Sequence, residues 1–157
     1  MSRSRAPIIL CIDDHLSGLV GRQALLEQCG YKVLPATGGR EGLALFKKNP
    51  VTAVIVDYQM PGMNGDVVAA KIKNLRSEVP IMLLSGHSSP PRRKLKSVDR
   101  FLSKSESPAN FISAVEVLLQ DGHKPPFKRW LEDWRFRISR SLRAPASLPD
   151  HRFRKSS

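Results

Sequence analysis

Val51-Thr52-Ala53-Val54-Ile55-Val56-Asp57-Tyr58-Gln59-Met60-Pro61-Gly62-Met63-Asn64-Gly65 is the stretch on which the fold turns. It begins as an apolar run rich in β-branched side chains and then meets an aspartate. Such a run suits a strand covered on both faces, as in a parallel sheet walled by helices. Ile8–Ile12 upstream and Ile81–Leu84 downstream have the same character. Each is also followed by polar residues, Asp13-Asp14 after the first and Ser85 after the second. Lys32–Ala36 and Arg100–Ser103 are more polar and fit edge strands, where Pro35 is tolerated because its nitrogen need not donate to a neighbour.

Helical patterns fill the intervals. Leu16, Leu19, Val20 and Leu26 are assigned to one face of a first helix, with Gly30 as its C-terminal cap. Leu43 and Phe46 mark a second, stopped by Asn49-Pro50, and Val68, Ile72 and Leu75 a third. Phe111, Ile112, Val115, Leu118 and Leu119 mark the last, entered through Ser107 as N-cap and Pro108 at the first position. Repeated strand–helix alternation over about 120 residues implies an α/β fold. The expected form is a doubly wound, flavodoxin-like, five-stranded parallel sheet of order 2-1-3-4-5, with a basic C-terminal helical tail. Function in such sheets gathers at the carboxyl ends of the strands.

The 157 residues carry a formal charge of +12, unevenly spread. Residues 1–120 hold 16 Lys/Arg against 10 Asp/Glu, and residues 121–157 hold 10 against 4, so the tail supplies half the excess. The expected division is a domain over 1–122 and a basic tail over 123–157, with one amphipathic helix at about 127–143 and a disordered end. The break is Asp121-Gly122-His123-Lys124-Pro125-Pro126. A tail of this charge favours acidic partners: an acidic protein face, an anionic membrane or nucleic acid. No apolar run approaches the roughly 20 residues of a membrane span. Asp13 and Asp14 interrupt the only N-terminal apolar run, which argues against a signal peptide and leads us to expect a cytoplasmic protein. Cys11 and Cys29 lack metal-ligand spacing and are expected to be ordinary reduced thiols.

The fold places Asp13, Asp14, Asp57, Ser85 and Lys104 on one edge of the sheet. Three carboxylates held together repel, and a cation relieves them. Hard oxygen ligands with no His or Cys among them favour Mg²⁺. The simpler alternative is that Asp13 and Asp14 only cap the helix that follows, but it leaves Asp57 unexplained.

Four segments, Ile9-Leu10-Cys11-Ile12-Asp13-Asp14-His15, Val56 to Gly65, Leu83-Leu84-Ser85-Gly86 and Phe101-Leu102-Ser103-Lys104, resemble the bacterial two-component response-regulator receiver family, of the chemotaxis-regulator type, over about residues 6–120. The resemblance implies phosphorelay signalling, with Asp57 as nucleophile toward a phosphohistidine on a sensor histidine kinase or phosphotransfer protein. It implies Mg²⁺ bound directly by Asp14, largely through water by Asp13, and by Asp57 and the Gln59 backbone carbonyl. Lys104 would bind a phosphoryl oxygen, Ser85 would supply the hydroxyl of the switch, and Phe101 its aromatic ring. The chain is then a phosphoacceptor switch that acts through protein contacts, promoting only its own phosphoryl transfer and aspartyl-phosphate hydrolysis. A homodimer is compatible with that role.

Three positions depart from the family pattern. Ser105 stands where proline usually follows the lysine, and Ser85 replaces the commoner threonine. The segment from Gly86 to Asp99 looks short, with Pro90-Pro91 delaying any helix to about Pro91 or Arg92, so a short and basic helix is expected there. His15 and His87 flank the site as loop histidines. Two other functions compete. One is DNA binding through the tail; the other is a Mg²⁺ hydrolase, for which no second acid follows Asp57 and no substrate-recognition insertion is evident.

Overall fold

The computed structural model describes residues 6–86 and 90–121. Within these, five strands, β1 (Ile8–Ile12), β2 (Lys32–Ala36), β3 (Ala53–Asp57), β4 (Ile81–Ser85) and β5 (Arg100–Ser103), alternate with α1 (Leu16–Gln28), α2 (Gly39–Lys48), α3 (Gly65–Leu75) and α4 (Pro108–Asp121). The sheet is parallel throughout, in the order β2-β1-β3-β4-β5. The expected doubly wound, flavodoxin-like sheet is the one observed. The tail helix expected at about 127–143 and His87 lie outside the described residues.

Alternation of side chains explains the continuous apolar runs. Leu10, Ile12, Val54, Val56, Ile81 and Leu83 face a core completed by Phe46 of α2 and by Val68, Ala69 and Ile72 of α3. Ile9, Cys11, Ala53, Ile55, Met82 and Leu84 face the opposite core, against Leu19 and Leu26 of α1 and Phe111, Val115 and Leu118 of α4. Both faces of each central strand are therefore dry, which is why polar residues enter β3 and β4 only at their last positions, Asp57 and Ser85. Cys11 lies inside the second core, where burial pushes its thiol up to about 12, while Cys29 is exposed. Pro35 sits on the edge strand β2, opposite Cys11.

Local signals end the helices as expected. Gly30 takes φ +84° and donates to the Glu27 carbonyl, while Tyr31 donates to Leu26, closing α1 with a paired C-terminal turn. The Asn110 amide donates to Ser107 Oγ at 3.2 Å at the start of α4.

Four details differ from the sequence expectation. β3 begins at Ala53 rather than Val51 and includes Asp57, because Thr52 is spent tying the strand start to Ile8 through both its amide and its hydroxyl. The buried stripe of α1 is Leu19 and Leu26, whereas Leu16 and Val20 are 64% and 63% exposed. At 100° per residue, Leu19, Arg22 and Leu26 fall within about 60° of arc, and Val20 lies on the order of 120° away. The inward face thus contains an arginine. Leu75, the last residue of α3, is also exposed. The short basic helix after Pro91 is a single 3₁₀ turn, Arg92–Leu95, with no buried residue.

Candidate functional site

Strand register assembles the site. Ile12 pairs with Val56, so Asp13 and Asp57, one residue further along, stand on adjacent strand ends. Asp57 pairs with Leu84 and Ser85 with Ser103, which carries the same edge across to Lys104. Backbone bonds extend the ladders just past each strand: Asp13 donates to Ala36, Tyr58 to Leu84, and Lys104 to Ser85 at 2.8 Å. Beneath Asp57 the backbone of α3 approaches closely. Gly65 donates its amide to the Tyr58 carbonyl, and a Cβ at that position would lie 2.2 Å from the Asp57 carbonyl oxygen. The glycine of Asn64-Gly65 is therefore required by contact with the site itself.

Asp13, Asp57 and Ser85 are the buried polar residues of the described chain, Asp13 at 1% and Asp57 at 3% exposure. Lys104 Nζ lies 2.9 Å from Asp13 Oδ2 and 2.9 Å from Asp57 Oδ2, bridging the two strand ends. Asp13 Oδ1 accepts the His15 amide at 2.8 Å, and Asp13 Oδ2 also receives the guanidinium of Arg22. His15 is the N-cap of α1; its exposed ring places Nδ1 3.1 Å from Asp14 Oδ1. The side chain of His15 makes no capping hydrogen bond to α1.

The two buried carboxyls respond differently to this setting. Burial pushes Asp57 up; Lys104 pulls it back, Asp13 and Asp14 push it up again, and it ends above its ordinary value. Burial also pushes Asp13 up, but the His15 amide, Lys104 and Arg22 outweigh it, leaving Asp13 below its ordinary value. Ligand atoms of Asp13, Asp14, His15 and Asp57 all lie within 4.8 Å of one another. The carboxylates are hard donors, and Asp57 is raised chiefly by burial, with Asp13 and Asp14 adding to the rise. A hard divalent cation such as Mg²⁺ fits that donor set.

Residues 9–116 match the response regulator receiver domain family. The chain belongs to that family. Its relatives include the sensor histidine kinase GacS of Pseudomonas protegens, 36% identical over 120 residues, covering 71% of this chain and 13% of the kinase. The sensor kinase/phosphatase LuxN of Vibrio campbellii is 32% identical over 73% of this chain, again with 13% of its own length matched. The transcriptional regulatory protein GlrR of Escherichia coli is 30% identical over 84% of this chain and 30% of its own. This receiver thus spans a small part of each of those relatives. Among solved structures, the chemotaxis protein CheY4 of Vibrio cholerae superposes with TM-score 0.69 at 25% identity, over 72% of this chain and 98% of that one. TrrA of Thermotoga maritima, solved with Mg²⁺ and BeF, gives 0.68 at 27% identity, over 71% and 98%. The shared part in all of these is the receiver, which places this chain in phosphorelay signalling and does not favour the DNA-binding alternative.

Asp13, Asp14, Asp57, Gln59, Ser85 and Lys104 lie at this end of the sheet, while Phe101 stands within β5. Gln59 is exposed and lines the cleft with Asp13, Asp57 and Lys104. Ser85 is buried at the end of β4. Phe101 on β5, paired with Leu83, is half-buried and packs against the α2–α3 core. The Lys104–Ser105 peptide is trans. Two residues went unanticipated, Arg22 and Gly65. Arg22 was detectable in principle: a cation three residues after Leu19 and four before Leu26 must find a buried partner.

Proposed function

We propose that this receiver takes a phosphoryl group onto Asp57 from a phosphohistidine of a sensor histidine kinase or phosphotransfer protein. The observation that carries the proposal is the buried Asp13–Lys104–Asp57 bridge, with both contacts at 2.9 Å. A carboxylate oxygen of Asp57 attacks phosphorus, the phosphorus–nitrogen bond breaks, and the departing imidazole keeps the electron pair and takes a proton. Such a transfer asks the protein chiefly for alignment and charge neutralisation. Asp14, Asp13, Asp57 and the Gln59 carbonyl would hold Mg²⁺, which neutralises phosphoryl oxygen charge when bound. Lys104 supplies the matching ammonium, and Asp13 holds it in place.

Phosphorylation adds strong acceptors beside Ser85. Its hydroxyl turns toward one of them and Phe101 follows inward, shifting a population between two packings of β4 and β5. The output is a change of protein contacts by a cytoplasmic switch whose own chemistry is limited to gaining and losing its phosphoryl group. The receiver's similarity to parts of sensor kinases and of a transcriptional regulator supports this role. Leu16 and Val20, exposed on α1 beside Asp14, offer the donor protein an apolar landing surface. The basic tail, residues 123–157, is proposed as a protein-docking segment.

Labelling by acetyl phosphate, followed by intact mass, tests the acceptor. Wild-type protein should gain one phosphoryl group with Mg²⁺ and none with chelator, and Asp57→Asn should gain none in either. Undiminished labelling of Asp57→Asn would overturn the assignment.

A further inference from the structure

Arg22 lies on the buried face of α1, with its side chain 15% exposed and its Nη2 on Asp13 Oδ2. That oxygen already receives Lys104, and the other oxygen of Asp13 receives the His15 amide. Both oxygens of Asp13 are thus engaged by groups of the protein itself. Lys104 is shared with Asp57, so the second cation is what completes the neutralisation of Asp13.

Two features of the fold let the guanidinium reach this place. Gly18 sits one turn before Arg22, and a Cβ there would lie 3.1 Å from Nη2. The missing side chain leaves a lane along α1 from Arg22 to the carboxylate. Arg22 also lines both the cleft of about 430 Å³ that holds Asp13, Asp57 and Lys104 and a second cavity of about 230 Å³ bordered by Gly21, Leu25, Leu102 and Phe111. Arg22 thus borders both spaces, together with Gly18 and Lys104.

We propose that Arg22 is a resident counter-cation of the phosphorylation site, which competes with the divalent cation for Asp13 and sets how tightly the receiver binds it. The inference rests on the site assignment above. With Arg22 engaged, the three carboxylates face two cations; without it they face Lys104 alone, and the pull on a divalent ion grows. Cation binding weakens the hold of Asp13 on Arg22, and the guanidinium retreats toward the second cavity. Its withdrawal leaves Lys104 as the cation shared between Asp13 and the acceptor.

Mg²⁺ titration of the full chain by calorimetry, with the Asp13, Asp57 and Lys104 amide shifts followed in parallel, tests this at fixed ionic strength and neutral pH. Arg22→Met should bind Mg²⁺ on the order of 10-fold more tightly than wild type, the scale expected for removing one nearby like charge from a solvent-open cleft. Arg22→Lys, which keeps the charge, should stay near wild type, an outcome that a purely structural role would not produce. Arg22→Gln repeats the measurement should the methionine variant fail to fold. Natively folded Arg22→Met or Arg22→Gln with unchanged or weaker Mg²⁺ affinity overturns the proposal. Wild-type protein that binds no Mg²⁺ at all overturns the site assignment instead.

Discussion

The acidic edge and the 3₁₀ turn between β4 and β5 are held in opposite ways. At the acidic edge, Asp13 alone is gripped by three groups, the His15 amide at the start of α1, Arg22 within it, and Lys104 after β5. In the connection, Arg92–Leu95 is one 3₁₀ turn without a buried residue, and Lys94 stands 3.7 Å from Asp66 Oδ2 and 5.5 Å from the Tyr58 ring. Firm anchoring returns only at Asp99, whose Oδ2 accepts the Ile81 amide at 2.7 Å and pairs with Lys73 at 2.7 Å. Phosphoryl transfer needs groups fixed before the reaction. Transmission needs a segment that can repack for little free energy. The two requirements are met a few residues apart.

The most disruptive way to break the contrast is to loosen the firm region from below. Gly65→Ala would set a Cβ 2.2 Å from the Asp57 carbonyl oxygen and 2.8 Å from Leu83 Cδ1. The nearest obstacle is backbone, so α3 must move from β3. A loss of about 3 kcal/mol is expected, on the order of 10 °C in the melting temperature of a domain this size, together with weakened Mg²⁺ binding. A circular-dichroism melt within a degree or two of wild type would show that the contact at Asp57 is not constraining.

Gly65 also shows what the sequence conveys and what it withholds. The strands are legible because burial on both faces leaves only one kind of residue acceptable at positions such as Ile9, Val54 and Leu83. The site is legible because Asp13, Asp57, Ser85 and Lys104 each end a strand or follow one, and a parallel sheet brings such positions together. The α1 face is less so: four apolar residues, Leu16, Leu19, Val20 and Leu26, allow more than one stripe. The choice is made by Arg22, which turns inward only because Asp13 awaits it across a distance of nine residues. Why position 65 must be glycine depends on the approach of two backbones, which no side-chain pattern records. In the segment from Gly86 to Asp99 the prolines forecast a shortened helix, but not that it would shrink to one 3₁₀ turn, since local propensity there is contested by little packing.

A smaller effect of opposite sign should follow from easing the charge at the acceptor. Asp57 lies above its ordinary value chiefly through burial, so the folded state binds its proton more tightly than the unfolded chain does. Stability is therefore lost as pH rises from the ordinary carboxylate value through the raised one, and the loss is complete above it. Asp57→Asn removes that loss. In metal-free buffer at neutral pH it should melt roughly 2–5 °C higher than wild type, the span that about 1 kcal/mol covers in such a domain. The gap should close as pH falls below the ordinary carboxylate value, and Mg²⁺ should narrow it by stabilising only the wild type. Asp13, held below its ordinary value, contributes with the other sign: its stabilisation is present above the unfolded value and is lost as pH falls through the folded one. An Asp57→Asn protein less stable than wild type at neutral pH would mean that Lys104 more than offsets the burial of Asp57.

The smallest effect tests the loose region directly. The Lys94 amide donates to Pro91 and the Val98 amide to Leu95, short-range bonds that can open without disturbing the sheet. Asp66 Oδ1 is buried with no hydrogen-bond partner among the described residues, so the Lys94–Asp66 contact leaves an acceptor unused. Lys94→Ala removes both that contact and the ammonium near Tyr58, which are the polar ties from this turn to α3 and to the end of β3. The melting temperature should shift by less than about 1 °C, since a long ion pair of 3.7 Å with a half-exposed lysine contributes little. Amide exchange over residues 92–98 should nevertheless quicken several-fold, while Ile55, Val56 and Asp57 keep wild-type protection. Accelerated exchange in β3 as well would mean that the turn and the acceptor strand open as one unit, and the firm and loose regions would then be a single element of the switch.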